Sequence, residues 1–179
     1  MTNTTYSPRP DNETERLAAV ARYDILDSAP ELAYDEITEL AAEICGCPAA
    51  FISMIDDDRM WLKSRYGLPP EPSEIPRDMV ICSTTICQND LLVVDDLTKD
   101  ERFSNLPIVT GEPNLRFYCG MPLITKEGYA LGTICAVDLK PRELETSRYE
   151  ALRRLSHQVI AQLELRRALL EMDKTVKEL

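Results

Sequence analysis

Residues 49–55, AAFISMI, are apolar on both alternating faces. Side chains of a strand point by turns to opposite sides, so a strand of this composition needs apolar cover above and below. It belongs inside a sheet that is itself sandwiched. The rest of the chain must supply both coats.

One coat is helical. Asn12 with Glu15 makes a capping box ahead of RLAAVARY. In SAPELAYDEITELAAEICGCP, Ser28 is placed to cap, Pro30 suits the first turn and Glu31 stands three residues past the cap. Ala33, Ile37, Leu40, Ala41 and Ile44 then recur at helical spacing, and Gly46 ends the run. A last helix is predicted from about residue 144 onward, with Leu152, Leu155, Val159 and Leu163 on a stripe that faces the sheet.

The strands follow from turns and alternation. DDDR turns the chain and MWLKSRY (60–66) returns, with Met60, Leu62 and Tyr66 on a dry face and Trp61, Lys63 and Arg65 on a polar-aromatic one. GLPPEPSEIPRD holds four prolines and must be a crossover loop. MVICSTTICQ (79–88) reads as a short helix, with its β-branched content leaving a strand open, and LLVV (91–94) reads as a strand. DDLTKDERFSNLPIVTGEPN is a long connector with one helical turn at 106–109. NLRFYCGMPLITKEGYALGTICAVD (114–138) is a hairpin turning at KEGY, with Cys119 on one arm and Cys135 on the other. Short turns imply antiparallel pairing, and helices at both ends can cover one face. That leaves the crossover and the connector for the opposite face, where loose cover predicts a pocket.

The bulk properties bound the function. A chain of 179 residues fits one domain with an arm or extension to spare. A net charge of −11 repels phosphate backbones, so no nucleic-acid partner is expected. Apolar runs stay under about ten residues against the ~20 that span a bilayer, so no membrane partner is expected. The opening residues lack a secretory core, and a cytoplasmic location is the expectation. Six cysteines in such a chain read as reduced thiols, mostly small buried apolar residues. Without a C-x-x-C, and with His157 alone in a distant helix, no metal site is expected.

The segments ERLAAVARYDILDSAPELAYDEITELAAEICGCPAAFISMIDDDRMWLKSRYGL and DDLTKDERFSNLPIVTGEPNLRFYCGMPLITKEGYALGTICAVDLKPREL resemble a GAF domain over about residues 13–168. The series D-x-R-F, R-F-Y-x-G-x-P-L and G-T-x-C-x-x-D carries the likeness. It resembles the group found beside bacterial sensor histidine kinases and diguanylate cyclases. The resemblance implies an α+β fold with a GAF-like central antiparallel sheet of five to six strands. Terminal helices would cover one face, and short helices and loops would form a small-molecule pocket on the other. Bilin-binding relatives follow their cysteine with histidine, whereas Cys82 is followed by Ser83 and Thr84. Neither a covalent bilin nor haem is therefore expected, and the cofactor is unknown. The Asn-Lys-x-x-F-x-x-x-Asp-Glu signature of cyclic-nucleotide binders is absent.

The pocket candidates are Trp61, Cys82, Thr85, Phe103, Leu106, Val109, Phe117, Cys119 and Cys135. No catalytic residue is assigned, since no cysteine has a histidine partner nearby. Asp95, Asp96, Asp100 and Glu101 read as turn caps, with Arg116 a partner in charge. His157 lacks the context of a phosphoacceptor box and reads as solvent-facing. On the last helix Leu165, Leu169, Met172, Val176 and Leu179 run at four-three-four-three spacing, about 200° around from the sheet-facing stripe. Heptad spacing predicts a homodimer through a parallel copy. The organisation is thus a flexible arm (1–11), a sensory domain (12–164) and a helical signalling extension (165–179). The expected function is a cytoplasmic ligand sensor without catalysis of its own, relaying to a sensor kinase or cyclase output domain. The alternatives are a thiol-dependent reductase resembling methionine sulfoxide reductases and a dimerisation scaffold without a ligand.

Overall fold

The computed structural model describes residues 7–179. Two strands, β1 (Ala49–Ile55) and β6 (Ala130–Asp138), form the middle of a six-stranded antiparallel sheet. The remaining strands are β2 (Arg59–Tyr66), β3 (Glu74–Pro76), β4 (Leu92–Val94) and β5 (Phe117–Ile124). Their order across the sheet is β3-β2-β1-β6-β5-β4. Every residue of β1 and of β6 is buried, as strands covered on both faces require. A bulge interrupts the β1–β2 pairing at Ile52/Ser53, and across the β1–β6 pairing a Cβ on Gly132 would lie 1.9 Å from the Ser53 carbonyl oxygen. Only glycine fits there.

One face is covered by α1 (Glu13–Arg22), α2 (Leu32–Cys45) and α5 (Thr146–Lys177). Leu152, Val159 and Leu163 of α5 are fully buried, each contributing roughly 1.5–3 kcal/mol. The sheet-facing stripe of α5 is the one its spacing predicts. The face of α2 is rotated from the expected one. Tyr34, Thr38, Ala41, Ala42 and Cys45 point inward, while Leu40 is exposed. Small residues at 38, 41 and 42 let the helix approach closely, which the larger Leu40 would prevent.

Neither expected side-chain cap forms. Asn12 stands at the N-cap of α1 without a side-chain cap bond. The start of α2 lies at Leu32, and Ser28 instead donates to the Ile25 carbonyl at 2.6 Å. The arm expected over 1–11 is partly outside the described residues. Its described part is held, with Arg9 donating to Asp57 Oδ1 at 3.1 Å and to the Asp57 carbonyl at 2.9 Å.

On the polar-aromatic face expected of β2, Trp61 and Lys63 are buried and Arg65 is half-buried. Lys63 lies under α2 and spends its three donors on Ser28 Oγ (2.8 Å), the Ala29 carbonyl (2.6 Å) and Glu31 Oε2 (2.5 Å). Its ammonium also sits 5.1 Å from the Tyr34 ring centre. Sequence alternation marks a polar residue but not the partners that let it be covered.

The second face is covered by α3 (Cys82–Thr85), α4 (Pro107–Thr110) and the loops around them. The 3₁₀ turns Arg77–Met79 and Leu97–Lys99 belong to this layer. Among the described residues no helix is long and apolar enough to cross a membrane.

Candidate functional site

The face covered by short elements is where a ligand site is expected, and its centre is a set of side chains in mutual contact. Tyr118 on β5 lies between Phe117 and Cys119, which point the other way, so its ring reaches this face. Its hydroxyl is 2.7 Å from Thr85 Oγ1 and 3.3 Å from Cys82 Sγ, both on α3. Cys135 on β6 donates to the same hydroxyl at 3.2 Å. Thr133 donates to Cys82 Sγ at 3.3 Å, and its own hydroxyl is 2.6 Å from Ser53 Oγ on β1. Cys82 Sγ and Cys135 Sγ are 3.7 Å apart.

All six groups are buried. Gly120 makes the arrangement possible, because a Cβ there would stand 2.3 Å from Tyr118 Oη and 2.9 Å from Cys135 Sγ. Burial raises the Tyr118 hydroxyl and the Cys135 thiol well above their ordinary values. Burial also opposes the Cys82 thiolate, but the combined hydrogen bonds of Cys135, Thr133, Tyr118 and Ser53 outweigh it and lower that pKa. Two neighbouring thiols thus differ in the ease with which they lose a proton.

The expected pocket set does not stay together. Cys82, Thr85, Phe103, Val109 and Cys135 lie on this face, and Leu106 packs against its core. Trp61, Phe117 and Cys119 belong to the helix-covered face, so they cannot line the same site. Successive strand residues alternate, and both parities are buried here, so hydrophobicity alone could not assign a side. Residues missed from sequence are Tyr118, Thr133 and Ser53. A hydroxyl inside apolar strand text signals a buried hydrogen-bond partner, and all three carry that signal.

The other thiols form a second group. Cys119 donates to the Ala136 carbonyl at 3.6 Å and lies with Cys45 beneath the helices, where the two thiols influence each other's titration and Arg148 and Arg142 add positive charge. Cys47 lies beside them, its thiol pushed up to about 12 by burial. Cys87, at the end of α3, is exposed.

Phe103, Val109, Leu97, Ile81 and Ile86 pack over the centre. An open cleft of about 300 Å³ sits at the margin, lined by Asp11, Asn12, Ile86, Cys87, Asn89, Ile124 and Gly128 among others. The acidic segment is structural, with Asp96 accepting from the Thr98 amide at 3.0 Å and Asp100 paired with Arg102 at 2.9 Å. The Thr98 hydrogen bonds lower the Asp96 pKa most, and Arg116 helps through its charge and not through an ion pair. Its guanidinium donates to the Val109 and Leu115 carbonyls instead, at 2.9 and 3.0 Å. His157 is exposed on α5.

The model of the GAF domain matches residues 29–163. The chain belongs to the GAF domain family. Among its relatives, cyclic di-GMP phosphodiesterase PA2567 of Pseudomonas aeruginosa is 36% identical over 135 residues, 75% of this chain and 23% of that protein. The chain therefore spans about a quarter of that relative. The GAF domain of Acinetobacter phosphoenolpyruvate-protein phosphotransferase superimposes with a TM-score of 0.64 at 19% identity, covering 88% of this chain and 96% of that one. The free methionine-R-sulfoxide reductase of Neisseria meningitidis gives a TM-score of 0.62 at 13% identity, covering 94% and 99%. Likeness at such identities is a likeness of fold. This GAF domain and these neighbours share the α+β architecture with its central antiparallel sheet.

Proposed function

We propose that this GAF domain is a small-molecule sensor within a signal-transduction protein, and that α5 carries its state to a second copy and to an output domain. The observation that supports this most strongly is the double use of α5. Its first half is buried against the sheet, while Leu165, Leu169, Met172 and Val176 are 54%, 57%, 65% and 66% exposed. One rod thus has its base in the sensing domain and an uncovered apolar stripe beyond it. The spacing suits a parallel coiled coil with an identical helix. At ~1.5 Å per residue, the 32 residues of α5 extend about 48 Å.

A small ligand would enter at the cleft beside α3, where Asp11, Asn12 and Asn89 offer polar groups and Ile86 and Ile124 apolar ones. Binding there would shift α3. The output domain would be a sensor kinase or an enzyme of cyclic-dinucleotide turnover, and the second kind fits the Pseudomonas relative.

Native mass spectrometry of the chain purified from its own host tests the ligand. A retained small molecule is expected, and an empty chain that also binds nothing from a metabolite extract would leave only the scaffold reading. Light scattering on the chain and on a form lacking residues 165–179 tests the relay. The chain should be a dimer and the truncated form a monomer. Equal masses per particle, corrected for the deleted segment, would refute it.

A further inference from the structure

We propose that Cys82 and Cys135 form a reversible dithiol–disulfide centre that reacts with hydroperoxides and ties α3 to β6. It goes beyond the sensory reading, since a chain that retains no diffusible ligand could still form this bond.

The two sulfurs are 3.7 Å apart, and a disulfide needs about 2.05 Å, so closing the bond requires a movement of under about 2 Å. Cys135 is fixed in a central strand paired on both sides. Cys82 is the first residue of a four-residue helix, an element short enough to move locally. One sulfur is anchored in the sheet and its partner sits on a short element. The surroundings are built for sulfur chemistry: hydroxyls of Thr133 and Tyr118 contact Cys82 Sγ at 3.3 Å each. Burial opposes the Cys82 thiolate, but the hydrogen bond of Cys135, together with those of Thr133 and Tyr118, favours it, while burial keeps the Cys135 proton in place. Attacker and proton-bearing partner are thereby distinguished. Ile86 and Cys87, just past α3, border the open cleft, and a hydroperoxide would approach Cys82 from that side.

The Cys82 thiolate attacks the outer oxygen of the hydroperoxide, and the O–O bond breaks. The departing alkoxide takes up the proton that Cys82 had lost, leaving as an alcohol (water when the oxidant is hydrogen peroxide), and Cys82 becomes a sulfenic acid. The Cys135 sulfur then attacks the Cys82 sulfur. The S–O bond breaks, and hydroxide leaves as water with the Cys135 proton. Two thiols lose two electrons and the hydroperoxide gains them. A small dithiol reverses the change by thiol–disulfide exchange.

The bond would act on more than the helix and the strand it joins. Ser83, next to Cys82, donates to the Arg77 carbonyl, and the Arg77 guanidinium holds Glu13 of α1. Locking α3 therefore constrains a segment already tied to a helix on the opposite face.

The test is peptide mapping of the whole chain after stoichiometric hydrogen peroxide with free thiols blocked. A Cys82–Cys135 cross-link is expected, with the intact mass about 2 Da lower and restored by dithiothreitol. Cys82→Ser and Cys135→Ser should each lose that cross-link. Circular dichroism checks that they fold, and the mapping of the unmodified chain stands even if one does not. Cys45→Ser should retain the cross-link. A cross-link confined to Cys45 and Cys119, or oxidation of Cys87 alone with both central thiols free, overturns the proposal.

Discussion

Glu13 on α1 and Arg77 before α3 are joined by two hydrogen bonds across 64 residues of sequence, Arg77 Nη2 lying 3.2 Å from Glu13 Oε2. The same carboxylate accepts from Arg16 Nε at 2.8 Å and Nη2 at 3.0 Å. Both arginines are almost wholly buried, and Arg16 also donates to the Ile55 and Ala130 carbonyls. One carboxylate thus serves two buried cations at the edge where α1, the β1–β2 turn and the cover layer meet.

Removing that charge leaves both buried guanidiniums without their countercharge, although Arg16 keeps the Ile55 and Ala130 carbonyls and Arg77 the Asp56 carbonyl. Glu13→Gln should cost about 3 kcal/mol or more, because breaking a buried pair leaves an uncompensated charge. For a domain of this size that is a fall in Tm of roughly 6–12 °C. Differential scanning calorimetry at neutral pH reads it directly.

The same site sets a pH dependence. Burial opposes the Glu13 carboxylate, but the hydrogen bonds and charges of Arg16 and Arg77 prevail and lower its pKa from 4.5 to about 2. A carboxyl with a depressed folded-state value stabilises fully above its unfolded value, and that contribution vanishes as pH falls through the folded one. Urea unfolding between pH 5 and 2 should therefore show a loss of stability that Glu13→Gln largely lacks. Parallel curves for the two proteins would contradict the assignment.

Gly120→Ala tests the centre of the short-element face. The new methyl would collide with Tyr118 Oη and Cys135 Sγ. Tyr118 must then swing away from Thr85, and overpacking of this kind costs about 1–3 kcal/mol. Urea denaturation measures the loss. An unchanged midpoint would mean that the ring moves freely and that the hydroxyl contacts contribute little.

Arg166 fastens α5 to the loop between α1 and α2. It donates to the Tyr23 carbonyl at 3.1 Å, the Asp24 carbonyl at 2.8 Å and Glu31 Oε2 at 2.9 Å. Arg166→Ala should destabilise the chain by about 1–3 kcal/mol, as expected for losing hydrogen bonds made by a charged group. Faster amide hydrogen exchange around Asp24 should accompany it, and unchanged protection there would argue against the fastening role.

Glutamates on the apolar stripe separate folding from association. Leu169 and Val176 are exposed, so Leu169→Glu with Val176→Glu should shift stability of the subunit itself by no more than about 0.5 kcal/mol. In a coiled-coil dimer the same pair places like charges in the seam, so the dimer should dissociate. Sedimentation velocity distinguishes the outcomes, and a dimer that survives both charges does not use this stripe.

Local pattern was enough to place the strands of the KEGY hairpin, the β1–β2 pair with its DDDR turn, and the two separate stripes of α5. These are short-range features: turn chemistry, alternation and the 3.6-residue period act between residues a few positions apart. Sequence also showed that the sheet needs two coats, because β1 is apolar on both sides. That same property hid which way each residue points. Once both faces of β5 and β6 are buried, alternation no longer labels a side, and Cys119 and Cys135 fall on opposite faces although both sit in apolar text. Only the pairing of β1 with β6 and the seating of α3 decided that Ser53, Cys82, Tyr118, Thr133 and Cys135 meet. Contacts among residues as distant as 53 and 133 depend on strand register and on how the cover packs, and neither is written in any local stretch of the chain.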